Sequence, residues 1–201
     1  KIVVNYFGWA LIKINRKGPK SFVYEKPDTE SIKNITSSTG ILHLGAHRGK
    51  EALVYNWFNK RVLWIEANPE IFSDLKNHIK FFYDQKAMNF LVRDKNIDDV
   101  DFFISNKDAS CSSIFDLSPD VKKNKLWKKH NLKILKKIKL NMKTLDKIFN
   151  ENAIKIKNYN HWIIDLQGAE LQALHGAKKS LKYCRSINVE ISKKKYYDGE
   201  S

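Results

Sequence analysis

The fold is decided by Ile41-Leu-His-Leu-Gly-Ala-His-Arg-Gly-Lys-Glu51 and by Val62-Leu-Trp-Ile-Glu-Ala-Asn-Pro69 further along the chain. Each stretch opens with an apolar run, and the residues between them have helical character, so the order is strand, glycine turn, helix, strand and acid. This order predicts an α/β pocket for a nucleoside, because glycines let the backbone approach a ligand and an acid can bind two ribose hydroxyls. Glu66 follows Gly45 by about 20 residues, the spacing expected of a ribose-binding acid.

The glycine spacing indicates which nucleoside the pocket suits. The chain reads G-A-H-R-G from Gly45 to Gly49, so the G-x-G-x-x-G of dinucleotide sites is absent. The phosphate loop G-x-x-x-x-G-K-[ST] is absent too, because Glu51 follows Lys50. An acid in the first helical turn repels phosphate but suits an ammonium or a sulfonium group. S-adenosylmethionine carries both cations and a ribose, so the segment favours it over NAD or FAD; a turn whose glycines serve only packing is the alternative.

A second segment carries another candidate ligand-binding residue. His161-Trp-Ile-Ile-Asp-Leu-Gln-Gly-Ala-Glu-Leu-Gln-Ala-Leu-His-Gly-Ala177 reads as a buried strand ending on Asp165, a turn at Gly168 and a helix. Ligands of open α/β sheets bind at the carboxyl ends of the strands. Asp165 is therefore expected at the same edge of the sheet as Glu66.

These motifs resemble the FkbM family of S-adenosylmethionine-dependent methyltransferases. The resemblance covers roughly residues 40–192 and rests on four motifs in the family's order: His43-Leu-Gly-Ala-His-Arg-Gly49, Glu66-Ala-Asn-Pro69, Thr144-Leu-Asp146 and Ile164-Asp-Leu-Gln-Gly-Ala-Glu170 with its continuation Leu174-His-Gly-Ala177. The usual family residues Asp, Asn and Glu are replaced here by His43, His47 and Gln167. The same replacements are found in one branch of the family, which this chain resembles more closely.

The resemblance implies an α/β fold with a doubly wound, mainly parallel sheet, as in Rossmann-like class I methyltransferases. It also implies S-adenosylmethionine as cofactor and O-methylation of a hydroxyl on a glycan or small-molecule acceptor, as in polysaccharide biosynthesis. The family continues past Glu190 with a further hairpin. We therefore expect a domain over residues 40–201 that is shortened at its carboxyl end, by truncation or by loss of strands.

The candidate cofactor contacts come from the strand ends and from the family motifs. They are Gly45, Ala46, His47, Gly49, Glu51, Glu66, Ala67, Asn68, Ala87, Met88, Ser112, Ser113, Asp165 and Gln167. Glu51 is expected to hold the methionine ammonium or to cap its helix. Asn68 either pairs with adenosine or begins a turn before Pro69.

Asp165 is the first candidate for catalysis. Methyl transfer to a hydroxyl requires a positioned acceptor and a base that removes its proton, and an Asp at a strand end can do either. His47 is the second candidate, because histidine titrates near neutral pH. Gln167 cannot act as a base but can hydrogen-bond to a sugar or to the cofactor.

Residues 1–39 are expected to be an extension that precedes the domain. Tyr6–Lys17 suggests a short helix with a basic end, and the polar and proline-containing residues 18–39 suggest a linker. Within the domain, the pattern predicts strands at 41–45, 61–66, 81–88, 100–105, 134–142, 161–166 and 186–191, and helices at 49–59, 69–80, 119–131, 144–152 and 169–182. Thr144 is the expected N-cap of its helix.

The cysteines and histidines give no sign of a metal site. Cys111 and Cys184 stand far apart without a C-x-x-C pair, so neither a disulfide framework nor a zinc site is expected, and a reducing cytoplasm is favoured. His43 and His47 form H-x-x-x-H across a strand end and lack the Glu of the zinc motif. No apolar run reaches the ~18 residues that a transmembrane helix needs.

The net charge of +15 allows two interpretations. It suits a polyanionic partner such as nucleic acid, or it reflects a lysine-rich composition, since only five of the 37 basic residues are Arg. The lysine excess keeps a nucleic-acid methyltransferase open as a further function. A non-catalytic binding domain that kept the fold also stays open, because His43 and Gln167 replace carboxylates of the family pattern. The chain has no N-P-P-[YF] motif for attack by a base amine, which disfavours the first of these. A homo-oligomer is compatible with the sequence.

Overall fold

The computed structural model describes residues 29–106, 112–113 and 133–190, together with the backbone of two short strands nearer the amino terminus. These strands, β1 (Ile2–Val3) and β2 (Ile12–Lys13), pair antiparallel. The strand at Ile12–Lys13 contradicts the helix expected for that stretch. The basic helix expected at 119–131 lies outside the described residues.

A helix replaces the end of the expected linker. The structure forms α1 (Thr29–Ser37) there, and Ile35 of this helix is buried in the core. The elements that follow are β3 (Ile41–Leu44), α2 (Ala52–Trp57), β4 (Val62–Glu66), α3 (Pro69–Ile79), β5 (Gln85–Asn89), β6 (Leu91–Val92), β7 (Ile97–Ser105), β8 (Ile134–Lys143), α4 (Leu145–Glu151), β9 (His161–Ile164), α5 (Glu170–His175) and β10 (Ser186–Val189).

The central sheet has five parallel strands in the order β5-β4-β3-β9-β10. Counted along the chain, these strands run 3-2-1-4-5, the order of a doubly wound α/β fold. This confirms the predicted fold class. The strand order reverses between β3 and β9, so ligands are expected outside the carboxyl ends of these two strands.

Strands β6, β7 and β8 form a separate three-stranded sheet in the order β6-β8-β7. The strands predicted at 100–105 and 134–142 correspond to β7 and β8, which lie outside the central parallel sheet. Strands β7 and β8 pair antiparallel, with register shifts near each end. An antiparallel pair needs no crossover helix, so apolar alternation alone could not tell these strands from those of the central sheet.

The central strands are buried on both faces, as parallel strands covered by helices must be. Every residue of β3 and β4 is buried. The indole rings of Trp64 and Trp162 are fully buried. The Trp64 Nε1–H donates to Gln85 Oε1 at 3.0 Å, and the Trp162 Nε1–H donates to the Tyr159 carbonyl at 2.8 Å, so neither buried donor is left without a partner.

Capping residues fix where two helices begin. The Thr144 hydroxyl accepts from the Lys147 amide at 3.2 Å, which confirms Thr144 as the N-cap of α4. Pro69 opens α3 as expected. The last helix was predicted to run to residue 182, but α5 ends at His175 and Gly176 follows as its C-cap.

No helix in the described part of the chain combines the length and apolar character that crossing a bilayer requires.

Gly45 should be the least replaceable residue of the central sheet. Its backbone has φ +73°, and a Cβ built on it would lie 1.7 Å from the Asp165 carbonyl oxygen. Gly45→Ala would have to force β3 and β9 apart, so we expect it to lower the free energy of unfolding by about 3 kcal/mol or more, measured by urea denaturation.

Arg48→Ala is the control in the same turn. It removes the surface ion pair between Arg48 Nε and Asp74 Oδ2 at 2.9 Å and a 3.5 Å contact with the His47 ring, and the exposed ion pair should be worth less than about 1 kcal/mol. Equal stability of Gly45→Ala and the unchanged protein would contradict the close approach of the two strands.

Candidate active site

A cavity opens at the carboxyl ends of β3, β4 and β9, where the strand order reverses. It brings together many of the predicted site residues, namely Gly45, Ala46, His47, Glu51, Glu66, Ala67, Ser112, Asp165 and Gln167. The remaining wall holds His43, Lys50, Ile65, Phe90, Leu91, Val92, Phe102, Leu166 and Ala169. The cavity therefore has acidic groups at its strand ends and an apolar wall behind them.

The Glu66 carboxylate is held by two backbone N–H groups. Glu66 Oε2 accepts from the His47 amide at 2.8 Å, and Oε1 accepts from the Asn68 amide at 2.8 Å. Burial raises the pKa of this carboxyl, and the hydrogen bonds from Asn68 and His47 oppose that effect. Each oxygen keeps a further lone pair, so the fixed carboxylate can still accept hydrogen bonds from two neighbouring hydroxyls.

The turn after β3 aims its backbone at Glu66. Gly45, His47 and Gly49 all have left-handed backbone conformations, with φ of +73°, +47° and +66°. Histidine is one of the few residues other than glycine that is enriched in this region. His47 therefore serves the turn as well as the cavity that it lines. Its ring lies 3.5 Å from the Arg48 guanidinium.

His43 is a site residue that the sequence did not single out as a ligand contact. It lines the cavity and stacks on Trp64 with ring centroids 4.8 Å apart, and its Nδ1 lies 3.4 Å from the Tyr55 hydroxyl. Burial lowers the pKa of His43, while the charges of Glu51 and Asp165 oppose that effect. The uncharged form of the His43 ring is thus favoured where it lines the cavity. Its position within an apolar strand was the sequence feature that could have marked it as a site residue. Among the described residues, no group of side chains is arranged to hold a metal ion.

The turn after β9 is fixed by hydrogen bonds from both sides. Glu170 accepts from the Leu166 amide at 2.8 Å and from the Gly168 amide at 3.1 Å. The Ser113 hydroxyl donates to the Gln167 carbonyl at 2.9 Å. Gln167 itself is left-handed, with φ +53°. These contacts hold the Gln167 side chain beside the strand ends.

The carboxyl groups of Asp165 and Glu190 lie close together beside this turn. Gln167 Nε2 donates to Asp165 Oδ1 at 2.6 Å and to Glu190 Oε2 at 3.4 Å. A hydrogen bond to Asp165 and the charge of Asp165 raise the pKa of Glu190 to about 7. The site therefore contains a carboxyl group that titrates near neutral pH, which is the range expected of a general base.

Five predicted contacts do not line the cavity. Gly49 is packed on α3, because a Cβ there would lie 2.7 Å from Leu75 Cδ1. Ser113 is buried and bridged to Phe103. Asn68 is buried as the N-cap of α3, and Ala87 and Met88 pack against core clusters on the two sides of the sheet.

The residues directly after β5 line the cavity in place of Ala87 and Met88. They are Phe90, Leu91 and Val92, joined by Phe102 from the second sheet. The predicted strand ended one residue before Asn89, whose side-chain Nδ2 donates to the Glu66 carbonyl at 2.7 Å. The apolar residues that follow the strand in the sequence were the feature from which this part of the cavity could have been predicted.

Glu51 does not cap its helix, which was one of its two expected roles. It stands at the N-cap position of α2 but its side chain makes no capping hydrogen bond. Its carboxylate is exposed and lines the cavity. Of the two roles, the contact with a ligand cation stays a prediction.

Substitution of Asn68 tests whether its side chain caps α3 or contacts a ligand. Its side-chain oxygen accepts from the Glu70 amide at 3.0 Å, so Asn68→Ala should lower the free energy of unfolding by about 1 kcal/mol in urea denaturation. Asn68→Ser keeps a capping oxygen and should restore most of the loss. Unchanged stability in Asn68→Ala, combined with weaker binding of adenosine ligands, would contradict the capping role.

The strand order and the cavity at the reversal point define a Rossmann-like α/β protein whose cavity lies where this fold binds ligands. Residues 43–201 match the family model described as the methyltransferase FkbM domain. The match covers most of the chain, which therefore belongs to the FkbM family and is a methyltransferase. Neither the curated proteins nor the solved structures contain a match to this chain.

Proposed function

We propose that the protein uses S-adenosylmethionine to methylate a hydroxyl group of a glycan or small-molecule acceptor. The observation that carries the proposal is the Glu66 carboxylate, which two backbone amides hold at the cavity wall in an orientation suited to a ribose diol. The family membership supports methyl transfer. An acceptor on a glycan would place the reaction in polysaccharide synthesis.

The cavity residues fit this cofactor. Glu66 would hold the ribose, and Phe90, Leu91 and Phe102 offer apolar surface to the adenine. Glu51 and Asp165 place carboxylates where an ammonium and a sulfonium would be favoured over phosphate. When bound, S-adenosylmethionine supplies a methyl group activated by a positively charged sulfur.

Asp165 is the residue that we propose acts on the acceptor. It follows the last residue of β9, lines the cavity and accepts from Gln167 Nε2, which fixes the position of one of its carboxylate oxygens. It can orient an acceptor hydroxyl and take its proton. His47 also lines the cavity and is the second candidate for this role.

The nucleic-acid alternative receives less support from the described lysines. Lys137 and Lys139 both pair with Asp101 at 2.7 Å, and Lys136 pairs with Glu70. Two carboxylates thus offset most of the charge of these three lysines. A non-catalytic binding domain would explain His43 and Gln167, but it would give no role to the carboxyl pair of Asp165 and Glu190.

The half-buried thiol of Cys184 is free, in keeping with the cytoplasmic location that we propose.

Cofactor binding can be tested without knowing the acceptor. Titration calorimetry should show binding of S-adenosylmethionine and of its demethylated product, S-adenosylhomocysteine. Glu66→Gln should weaken both at least tenfold, because one amide oxygen cannot satisfy two backbone donors and a diol, and it should cost about 1–3 kcal/mol of stability.

Glu70→Gln is the matched control on the neighbouring helix. Glu70 is exposed and pairs with Lys136 at the surface, so its loss should leave both affinities unchanged. Absence of binding by the unchanged protein, or equal effects of the two substitutions, would contradict the proposed cofactor.

The role of Asp165 requires methyl transfer as the readout. Radioactive label from S-adenosylmethionine should enter the polysaccharide or small-molecule fraction of a cell extract. Asp165→Asn should keep the affinity for S-adenosylhomocysteine, which has no sulfonium charge. At saturating S-adenosylmethionine it should lower incorporation by about 100-fold or more, the usual contribution of a general base. Asp98→Asn, at an exposed position, should have no effect. Label in nucleic acid would instead support the alternative acceptor.

A further inference from the structure

The carboxyl groups of Asp165 and Glu190 are brought together by strand register. Strands β9 and β10 are parallel neighbours, and Ile164 is opposite Val189. Asp165 and Glu190 are the next residues of the two strands, and the Glu190 amide donates to the Ile164 carbonyl at 3.2 Å. Adjacent strands lie about 4.8 Å apart, so the two side chains start from neighbouring positions at the same edge.

Gln167 joins the two carboxyl groups from the far side of the turn. Its single amide nitrogen donates to one oxygen of each, at 2.6 Å for Asp165 and 3.4 Å for Glu190. The two groups differ in their surroundings, because Asp165 lines the cavity while Glu190 is exposed. The pair therefore connects the cavity to solvent.

We propose that Glu190 is the positioning residue and proton acceptor behind Asp165, so that the two carboxyl groups act as one base. This inference rests on the proposed function and adds the route that the proton takes. Because it requires an acceptor that loses a proton, it also favours hydroxyl acceptors.

The proposed methyl transfer couples formation of a carbon–oxygen bond to the loss of the hydroxyl proton. The acceptor oxygen forms a bond to the methyl carbon, the carbon–sulfur bond breaks, and the sulfur keeps that electron pair and becomes neutral. The hydroxyl proton moves to the Asp165 carboxylate and from there to Glu190, which becomes a carboxylic acid. Glu190 then releases the proton to solvent, to which its side chain is exposed.

The charges around the pair decide when it can accept a proton. Asp165 contributes most to raising the pKa of Glu190 to about 7, Glu170 of α5 adds to it, and Gln167 opposes it. From the other elements at the cavity, the charged or titratable lining is completed by His43, His47, Lys50, Glu51 and Glu66. Since the ionised pair is the active form, the base should become available as pH rises through about 7.

Carbon-13 NMR of the side-chain carboxyl groups tests the pair in the protein without ligand. A glutamate resonance should titrate near pH 7 and disappear in Glu190→Gln. In Asp165→Asn, the Glu190 pKa should fall from about 7 toward its ordinary value, because the main cause of the shift is removed while burial and Glu170 remain. In Gln167→Met the midpoint should rise, because the opposing hydrogen bond is lost.

Glu30→Gln is the matched control, at an exposed position of α1, and should leave the titration unchanged. A Glu190 midpoint in the ordinary acid range, insensitive to Asp165→Asn, would overturn the inference.

Ligand binding tests whether the pair acts at the cofactor cavity. Between pH 6 and 8 the affinity for S-adenosylmethionine should rise about tenfold relative to S-adenosylhomocysteine, because only the former carries the sulfonium charge. Glu190→Gln should bind both ligands without this pH-dependent gain. Protonation of the free ligands affects the unchanged protein and Glu190→Gln equally, so it cannot cause the difference between them. The same gain in Glu190→Gln would overturn the inference.

The two proposals fail in different ways. If neither ligand binds, the proposed function fails, whereas the NMR titration still decides whether the carboxyl pair exists. If both ligands bind but Glu190 titrates like an ordinary glutamate, the cofactor proposal stands and the base pair is rejected.

Discussion

The approach of the Gly45 backbone to the Asp165 carbonyl is the constraint on which the site depends. A side chain at residue 45 would lie 1.7 Å from that oxygen, so the ends of β3 and β9 can meet only because Gly45 has none. Their meeting creates the reversal point of the sheet and the floor of the cavity. It also sets Asp165 beside the turn that carries His47, which in turn directs its amide at Glu66. The glycine in the first motif is therefore needed for packing and shapes the ligand site through that packing.

Glu66 connects the two parts of the cavity. It ends β4, receives one amide from the turn after β3 and one from the turn before α3, and stays buried as a result. A buried carboxylate with two fixed donors cannot rotate freely, so its remaining acceptor capacity points in a fixed direction. Asp165 differs, because its partners are a side-chain amide and a second carboxyl group. The Glu66 carboxylate is thus fixed by backbone donors, whereas the Asp165 carboxylate is surrounded by side chains.

Much of this arrangement could be predicted from local patterns. The apolar runs ending at Gly45, Glu66 and Asp165 predicted three strand ends at one edge, since parallel strands share their direction. Prediction failed where a local pattern has two structural meanings. Asn68 precedes a proline and carries a side chain that can cap or bind, and only the position of the Glu70 amide shows that it caps. The glycine at Gly49 marked the turn correctly, but the space that it leaves is filled by Leu75 of α3.

The sequence by itself determined the order of the elements of the central sheet from β3 to β5, the fold class, the family and the acids at the strand ends. These follow from periodicity and from motifs, which are properties of neighbouring residues. Only the tertiary structure decided that β7 and β8 form a separate sheet, that Phe90 and Phe102 share a cavity wall, and that Glu190 lies against Asp165. Each of these depends on strand register or on contacts between residues distant in the chain. Such contacts are set by how the elements pack, and no local pattern encodes them.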